Sequence, residues 1–258
     1  MNLWRMTTVM KYSVNRGSTA FFVTSPLPCP YLDGQVERRL VAELKGWDGI
    51  SLHNTLSRVG FRRSHGIVYA PICPNCGACK AVRTVVGEFK PSVSQRRVIR
   101  INKDIIVNKR PALATREQYD LFVKYQESRH TDGDMAKMDY YDYQALIEET
   151  PVNTFILEYR DLDHLVGACI VDEMAEGLSA VYSFFDPINK RKSLGTHIIL
   201  SLFDLALQYR LPHVYLGYWV SGSQKMSYKE KFQPLEYYNG NEWTRSNLFQ
   251  SNKAGVTL

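Results

Sequence analysis

A chain of 258 residues, 45% hydrophobic and 22% charged, has the makeup of a globular protein with material for one large core or two modest ones, which excludes wholesale disorder. No apolar stretch approaches the roughly 18 residues that span a bilayer, and residues 1–11 show no apolar signal region, so a cytoplasmic protein with no membrane partner is expected. The net charge of +6 is unevenly held: residues 61–110 carry 11 Lys/Arg and 2 Asp/Glu, an excess of +9, which leaves −3 for the rest. That asymmetry fits a polyanion such as nucleic acid, and it also fits a solvated basic face.

In chain order, residues 35–44 (QVERRLVAEL) read as a short helix ended by Gly46, and residues 51–59 as a second ended by Gly60. Residues 66–70 and 81–86 have the β-branched character of strands, with the loop PICPNCGACK between them. Residues 95–108 are basic, and their periodicity fits helix and strand equally; Pro111 marks a break. Residues 116–127 and 141–148 read as helices, the second ended by Pro151. Three strands follow, 154–159, 165–172 and 179–185, joined by turns short enough for antiparallel hairpins. After the basic loop NKRKS, a helix over about 194–209 places Ile198, Leu202, Leu205, Ala206 and Tyr209 on one face, and a strand at 213–220 closes the set. The pattern predicts an α+β protein with a basic, cysteine-containing N-terminal domain over 1–110, a second domain over 111–245 and a flexible tail over 246–258.

Three segments carry chemistry. Lys190, Arg191, Lys192 and Gly195 stand at the entrance of the long helix, where unpaired N–H groups and the positive end of the dipole favour an anion; a basic turn that merely caps the helix is the plainer reading. Antiparallel strands followed by a strand–basic loop–helix–strand unit resemble the GNAT acyltransferase architecture, which holds its donor at such an entrance. Residues 215–238 present Tyr218, Trp219, Lys225, Tyr228 and Lys229, rings that could stack on bases and lysines that could neutralise phosphate, or else a core edge with solvated lysines. Cys73, Cys76 and Cys79 form C-x2-C-x2-C, with Cys29 available as a fourth ligand; four thiolates suit zinc or a [4Fe–4S] cluster, and a set of reduced thiols is the alternative. The odd fifth cysteine, Cys169, lies mid-strand as a small buried residue, and no disulfide framework is expected.

The segments CPYLDGQVERR, NTLSRVGFRRSHGIVYAPICPNCGACKAVR and PSVSQRRVIRINKD resemble the N-terminal domain of the arginyl-tRNA–protein transferase family. YSFFDPINKRKSLGTHIIL and VYLGYWVSGSQKMSYKEKFQPLE resemble its C-terminal domain, in consistent order across residues 20–238, and YQESRHTDGDM is similar to its short bacterial branch, the aspartate/glutamate leucyltransferases. The resemblance implies a GNAT-like C-terminal catalytic domain that moves leucine from leucyl-tRNA to proteins beginning with Asp or Glu, marking them for regulated proteolysis. Arginine is the runner-up as transferred residue. Outside the family, the alternatives are a CoA-dependent GNAT acetyltransferase and a non-enzymatic RNA-binding protein.

The ester of an aminoacyl-tRNA is already activated, so direct aminolysis by the acceptor amine needs no cofactor and no acyl-enzyme; positioning, a base and oxyanion donors suffice. Asp186 is the candidate to attract the ammonium or relay its proton, and Tyr218 and Tyr228 are candidate oxyanion donors. Lys190, Arg191, Lys192, Gly195, Lys225 and Lys229 are candidates for the tRNA 3′ end. Arg62, Arg63 or Arg83 could supply the cation that an acidic acceptor side chain requires.

Overall fold

Period-two burial governs the first third of the chain. The computed structural model describes residues 6–14, 17–131, 133–188 and 190–245; the tail expected at 246–258 lies outside the described residues. Strands β1 (Met6–Val14), β2 (Gly17–Thr24), β3 (Leu27–Pro28), β4 (Val36–Glu37) and β5 (Arg39–Glu43) lead into helix α1 (Gly49–Arg58), then β6 (Arg62–Ser64) and β7 (Ile67–Pro71). A five-stranded antiparallel sheet runs β1-β2-β5-β7-β6. The helix expected over 35–44 is therefore strand. Ala42 and Leu44 enter the core beside α1 and Leu40 packs against it, so the apolar positions repeat every second residue, and pairing with β2 and β7 overrides the helix preference of Glu, Arg and Leu.

The rest of the chain supplies β8 (Cys79–Val85), α2 (Val93–Ile101), β9 (Ile105–Pro111), α3 (Arg116–Arg129), α4 (Tyr140–Glu148), β10 (Thr154–Asp161), β11 (His164–Met174), β12 (Gly177–Phe185), α5 (Leu194–Gln208), β13 (His213–Val220), β14 (Leu235–Tyr238) and β15 (Trp243–Arg245). The ambiguous stretch 95–108 is helix, then strand, and Pro111 ends β9 rather than interrupting it. Helices α2, α3 and α4 each begin with a capping box, Ser92 with Gln95, Thr115 with Gln118 and Asp139 with Asp142.

An eight-stranded sheet runs β15-β14-β8-β13-β12-β11-β10-β9. Since β8 and all but the last residue of β9 precede residue 111, the sheet crosses the division expected there. Strand alternation sorts its two faces. Leu157, Cys169, Val171, Val214 and Leu216 pack with Ile198, Leu202 and Phe203 of α5, whereas Ile156, Ala168, Ile170 and Phe184 pack with Phe122 of α3 and Tyr143 and Ile147 of α4. Such fully buried side chains stabilise by about 1.5–3 kcal/mol each. No described helix is long and apolar enough to cross a membrane.

Candidate active site

Strands β12 and β13 are parallel and pair only at their starts, Gly177 to Ser179 against His213 to Tyr215. A Cβ on Gly177 would stand 2.3 Å from the His213 carbonyl oxygen, so only glycine allows the strands to meet so closely. Beyond that point β12 stays with β11 as far as Phe185, and β13 stays with β8 as far as Val220. The ladder between the two strands ends there, so residues 180–185 and 216–220 are not paired with each other.

Helix α5 starts beside the end of β12. A Cβ on Gly195 would lie 2.9 Å from the Phe185 ring, so this glycine lets β12 pack on the helix entrance. Ser193 adopts the left-handed conformation at the N-cap, and its side chain accepts no bond from the first turn of the helix. Lys190 and Arg191 are exposed there, while Lys192 is half-buried and paired with Asp161. Asn102, just past α2, donates to the Lys192 carbonyl at 2.7 Å, and Gln95 donates to the Lys231 carbonyl at 2.9 Å. These bonds set α2 beside the α5 entrance with Arg96, Arg97, Arg100 and Lys103 all exposed.

The other residues around the end of β12 are ones sequence reasoning missed. The end of α3 brings Tyr125 to 5.0 Å and the Arg129 guanidinium to 5.7 Å from the Phe185 ring. His130 follows, held below its usual pKa by burial and by Lys225 and Arg129 nearby. Gln126 donates to the Tyr182 hydroxyl at 2.7 Å. In sequence the segment YQESRH stands out only by its resemblance; α3 carries its residues against Phe185 and Tyr182.

Several expected roles change. Asp186 accepts from the Ile188 N–H at 3.0 Å and pairs with Lys124 at 3.1 Å, so one carboxylate oxygen is already engaged in the turn. The Tyr218 hydroxyl reaches the carbonyls of Gly60 at 2.9 Å and Tyr69 at 3.0 Å. Its single proton is engaged on these backbone carbonyls, joining β13 to the N-terminal part of the chain, and burial raises its pKa. Tyr228 is 43% exposed and Lys225 exposed, free to meet a ligand. Lys229, expected at phosphate, is instead buried at 5% exposure, with its ammonium on the Tyr218 carbonyl at 2.5 Å. Burial and the neighbouring Arg62 lower its pKa to about 7. Trp219 is buried and donates to Glu230 at 2.9 Å.

The three candidate arginines have separate fates. Arg63 makes a buried two-bond pair with Asp172, at 2.6 and 2.7 Å, so it joins β6 to β11 and is not available to an acceptor. Arg83 pairs with Glu236 at 2.9 Å and lies over the Trp243 ring at 4.3 Å. Arg62 is 5% exposed, and its Nε and Nη2 find no hydrogen-bond acceptor among the described residues.

Cys29, Cys73 and Cys79 line one cavity with Tyr31, Arg39, Tyr69 and Tyr218. Burial first, then the neighbouring thiols of Cys73, Cys29 and Cys76, push Cys79 up to about 11. Four thiols are the right donors for zinc or an iron–sulfur cluster, yet among the described residues no three His, Cys, Asp or Glu are placed to hold a metal ion.

The N-terminal model of arginine-tRNA-protein transferase matches residues 27–97 and the C-terminal model residues 117–239. The chain is 53% identical over 226 residues to an aspartate/glutamate leucyltransferase of Paramagnetospirillum magneticum, covering 87% of this chain and 93% of the relative. It is 48% identical over 236 residues to the protein of the same name from Gluconacetobacter diazotrophicus, covering 91% of each. In fold it is similar to the L-PGS of Bacillus licheniformis, at a TM-score of 0.52 and 12% identity over 90% of this chain and 84% of that one. With both halves matched and half of the residues shared with these relatives, the chain belongs to the arginine-tRNA-protein transferase family.

Proposed function

We propose that this protein transfers leucine from leucyl-tRNA to the N-terminal Asp or Glu of acceptor proteins, in the cytoplasm. The observation that carries the reading is the early end of the β12–β13 ladder with a cationic helix entrance beside the end of β12, in a chain whose relatives are named for that transfer. A GNAT-like donor site has this plan, with the tRNA 3′ end in the place of an acyl carrier.

In this reading the terminal phosphates lie against Lys190, Arg191 and the start of α5, where backbone N–H groups and the dipole meet them. The exposed cations of α2 continue the surface along the acceptor stem. The ester carbonyl enters between residues 180–185 and 216–220, where Tyr228 is the exposed hydroxyl candidate for the oxyanion. The acceptor amine, with an ordinary pKa of about 7.7–8.0, has to lose a proton before attack. Asp186 follows directly on β12, and its second oxygen is the candidate to draw that ammonium in. Holding amine and ester together removes several kcal/mol of barrier without a covalent intermediate.

The decisive assay offers radiolabelled leucyl- and arginyl-tRNA with peptides beginning in Asp, Glu, Lys or Arg. Leucine appearing on the Asp and Glu peptides is the expected result. Transfer of arginine instead would reassign the donor, and no transfer at all would remove the proposal. The chemistry itself calls for no cofactor. For the cysteines, stoichiometric zinc or iron with a broad visible band in anaerobically purified protein would show that the loop closes on a metal; the absence of both would leave them as thiols.

A further inference from the structure

Arg62 and Arg63 are successive residues of β6, so their side chains leave opposite faces of the strand. On Arg63 the Nε/Nη2 edge of the guanidinium grips the Asp172 carboxylate with two bonds. On Arg62 the same edge is buried and unbonded among the described residues, and only Nη1 donates, to the Phe61 carbonyl at 2.7 Å. The rings of Tyr215 at 5.0 Å and Trp243 at 5.6 Å offset part of the cost of burying this cation, but they bring no anion. Lys229 is a second buried cation within electrostatic reach of Arg62, held by a carbonyl rather than a carboxylate. The acids at hand are engaged, Glu236 with Arg83 and Arg245, and Asp172 with Arg63. Two neighbouring buried cations without a counter-ion are expensive unless a ligand supplies one.

We propose that the open Nε/Nη2 edge of Arg62, with Lys229 beside it, is the receptor for the side-chain carboxylate of the acceptor's N-terminal Asp or Glu, an inference that rests on the transfer reading above. The fork matches a carboxylate through two parallel bonds, as Arg63 demonstrates one residue along. The ring walls and deep burial suit one small carboxylate, whereas the cations fitted to a phosphate backbone, on α2 and at the α5 entrance, stand exposed. Tyr215 is 1% exposed and Trp243 half-buried, so of the two ring walls that of Trp243 lies nearer to solvent. The Lys229 ammonium lies 3.7 Å from where a Cβ on Gly217 would stand, at the irregularity of β13 between Tyr215 and Tyr218. A residue bound there carries its amino group toward residues 216–220.

The test uses the full chain, leucyl-tRNA and a pair of peptides differing only in Asp or Asn at the N-terminus. Wild-type protein should prefer Asp. Arg62→Gln should raise KM for the Asp peptide about 10- to 100-fold and abolish the preference over Asn, with leucyl-tRNA affinity unchanged. Arg62→Lys, which keeps a cation in place but loses the fork, should fold like wild type and lose most of the preference. A retained preference in these variants, or a loss of tRNA affinity with an unchanged acceptor KM, would overturn the proposal, the latter by assigning Arg62 to phosphate. Equal transfer to both peptides by wild-type protein would sink the receptor while leaving the transfer reading intact; no transfer to any peptide would sink the transfer reading itself.

Discussion

Lys229 carries its ammonium at a site only 5% exposed, and burial lowers its pKa from 10.5 to about 7. Between those values the unfolded chain binds a proton that the folded chain does not, so stability rises with pH across that window and is lowest, for this group, below pH 7. Lys229→Met should remove that slope and stabilise the protein at pH 6 by on the order of a few kcal/mol. Urea midpoints of both proteins from pH 6 to 9 check this; parallel curves would mean the lysine is not perturbed. The segment KMSYKEK made Lys225 and Lys229 look equivalent, since both are lysines near aromatic residues. The chain turn over Gln224–Lys231 sends one to solvent and the other beneath Tyr218, a distinction that local composition does not contain.

At the scale of elements, the two sheets are joined by a buried polar knot. Asp172 of β11 accepts two bonds from Arg63 of β6 and one from Thr154 of β10 at 2.7 Å, and the neutral His53 of α1 stands 3.8 Å away, its pKa lowered to about 4 by burial. Asp172→Ala would leave a buried guanidinium without its partner and should cost about 3–5 kcal/mol, read as a lower urea midpoint with an unchanged slope. A loss under 1 kcal/mol would show that the sheets hold together without it. The central helices and hairpins were legible from periodicity and turns because their contacts lie close in the chain. The strand at Arg39–Glu43 was not, because its neighbours β2 and β7 lie elsewhere in the sequence and outweigh local propensity.

For the whole molecule, the excess positive charge of residues 61–110 divides into two populations. Arg62, Arg63 and Arg83 go inward to aromatic rings and carboxylates, while Arg96, Arg97, Arg100 and Lys103 go outward beside the α5 entrance. Exposed cations such as the outward set can release counter-ions from RNA, whereas the three inward arginines cannot. Replacing Arg96, Arg100 and Lys103 together by Ala should therefore lower the slope of log affinity for tRNA against log salt by about 2. An unchanged slope would place the nucleic acid on another face.

The ordered motifs were enough to mark the resemblance to the family, and with it the expected chemistry, because such signals are carried by residue types and their spacing along the chain. Which arginine faces a carboxylate, which faces none, which lysine is buried and where β12 leaves β13 were decided only by folding. Those properties belong to pairs of residues 100 or so positions apart, as Arg63 and Asp172 are; such a pairing is fixed by how two sheets pack, and nothing local in the sequence records it.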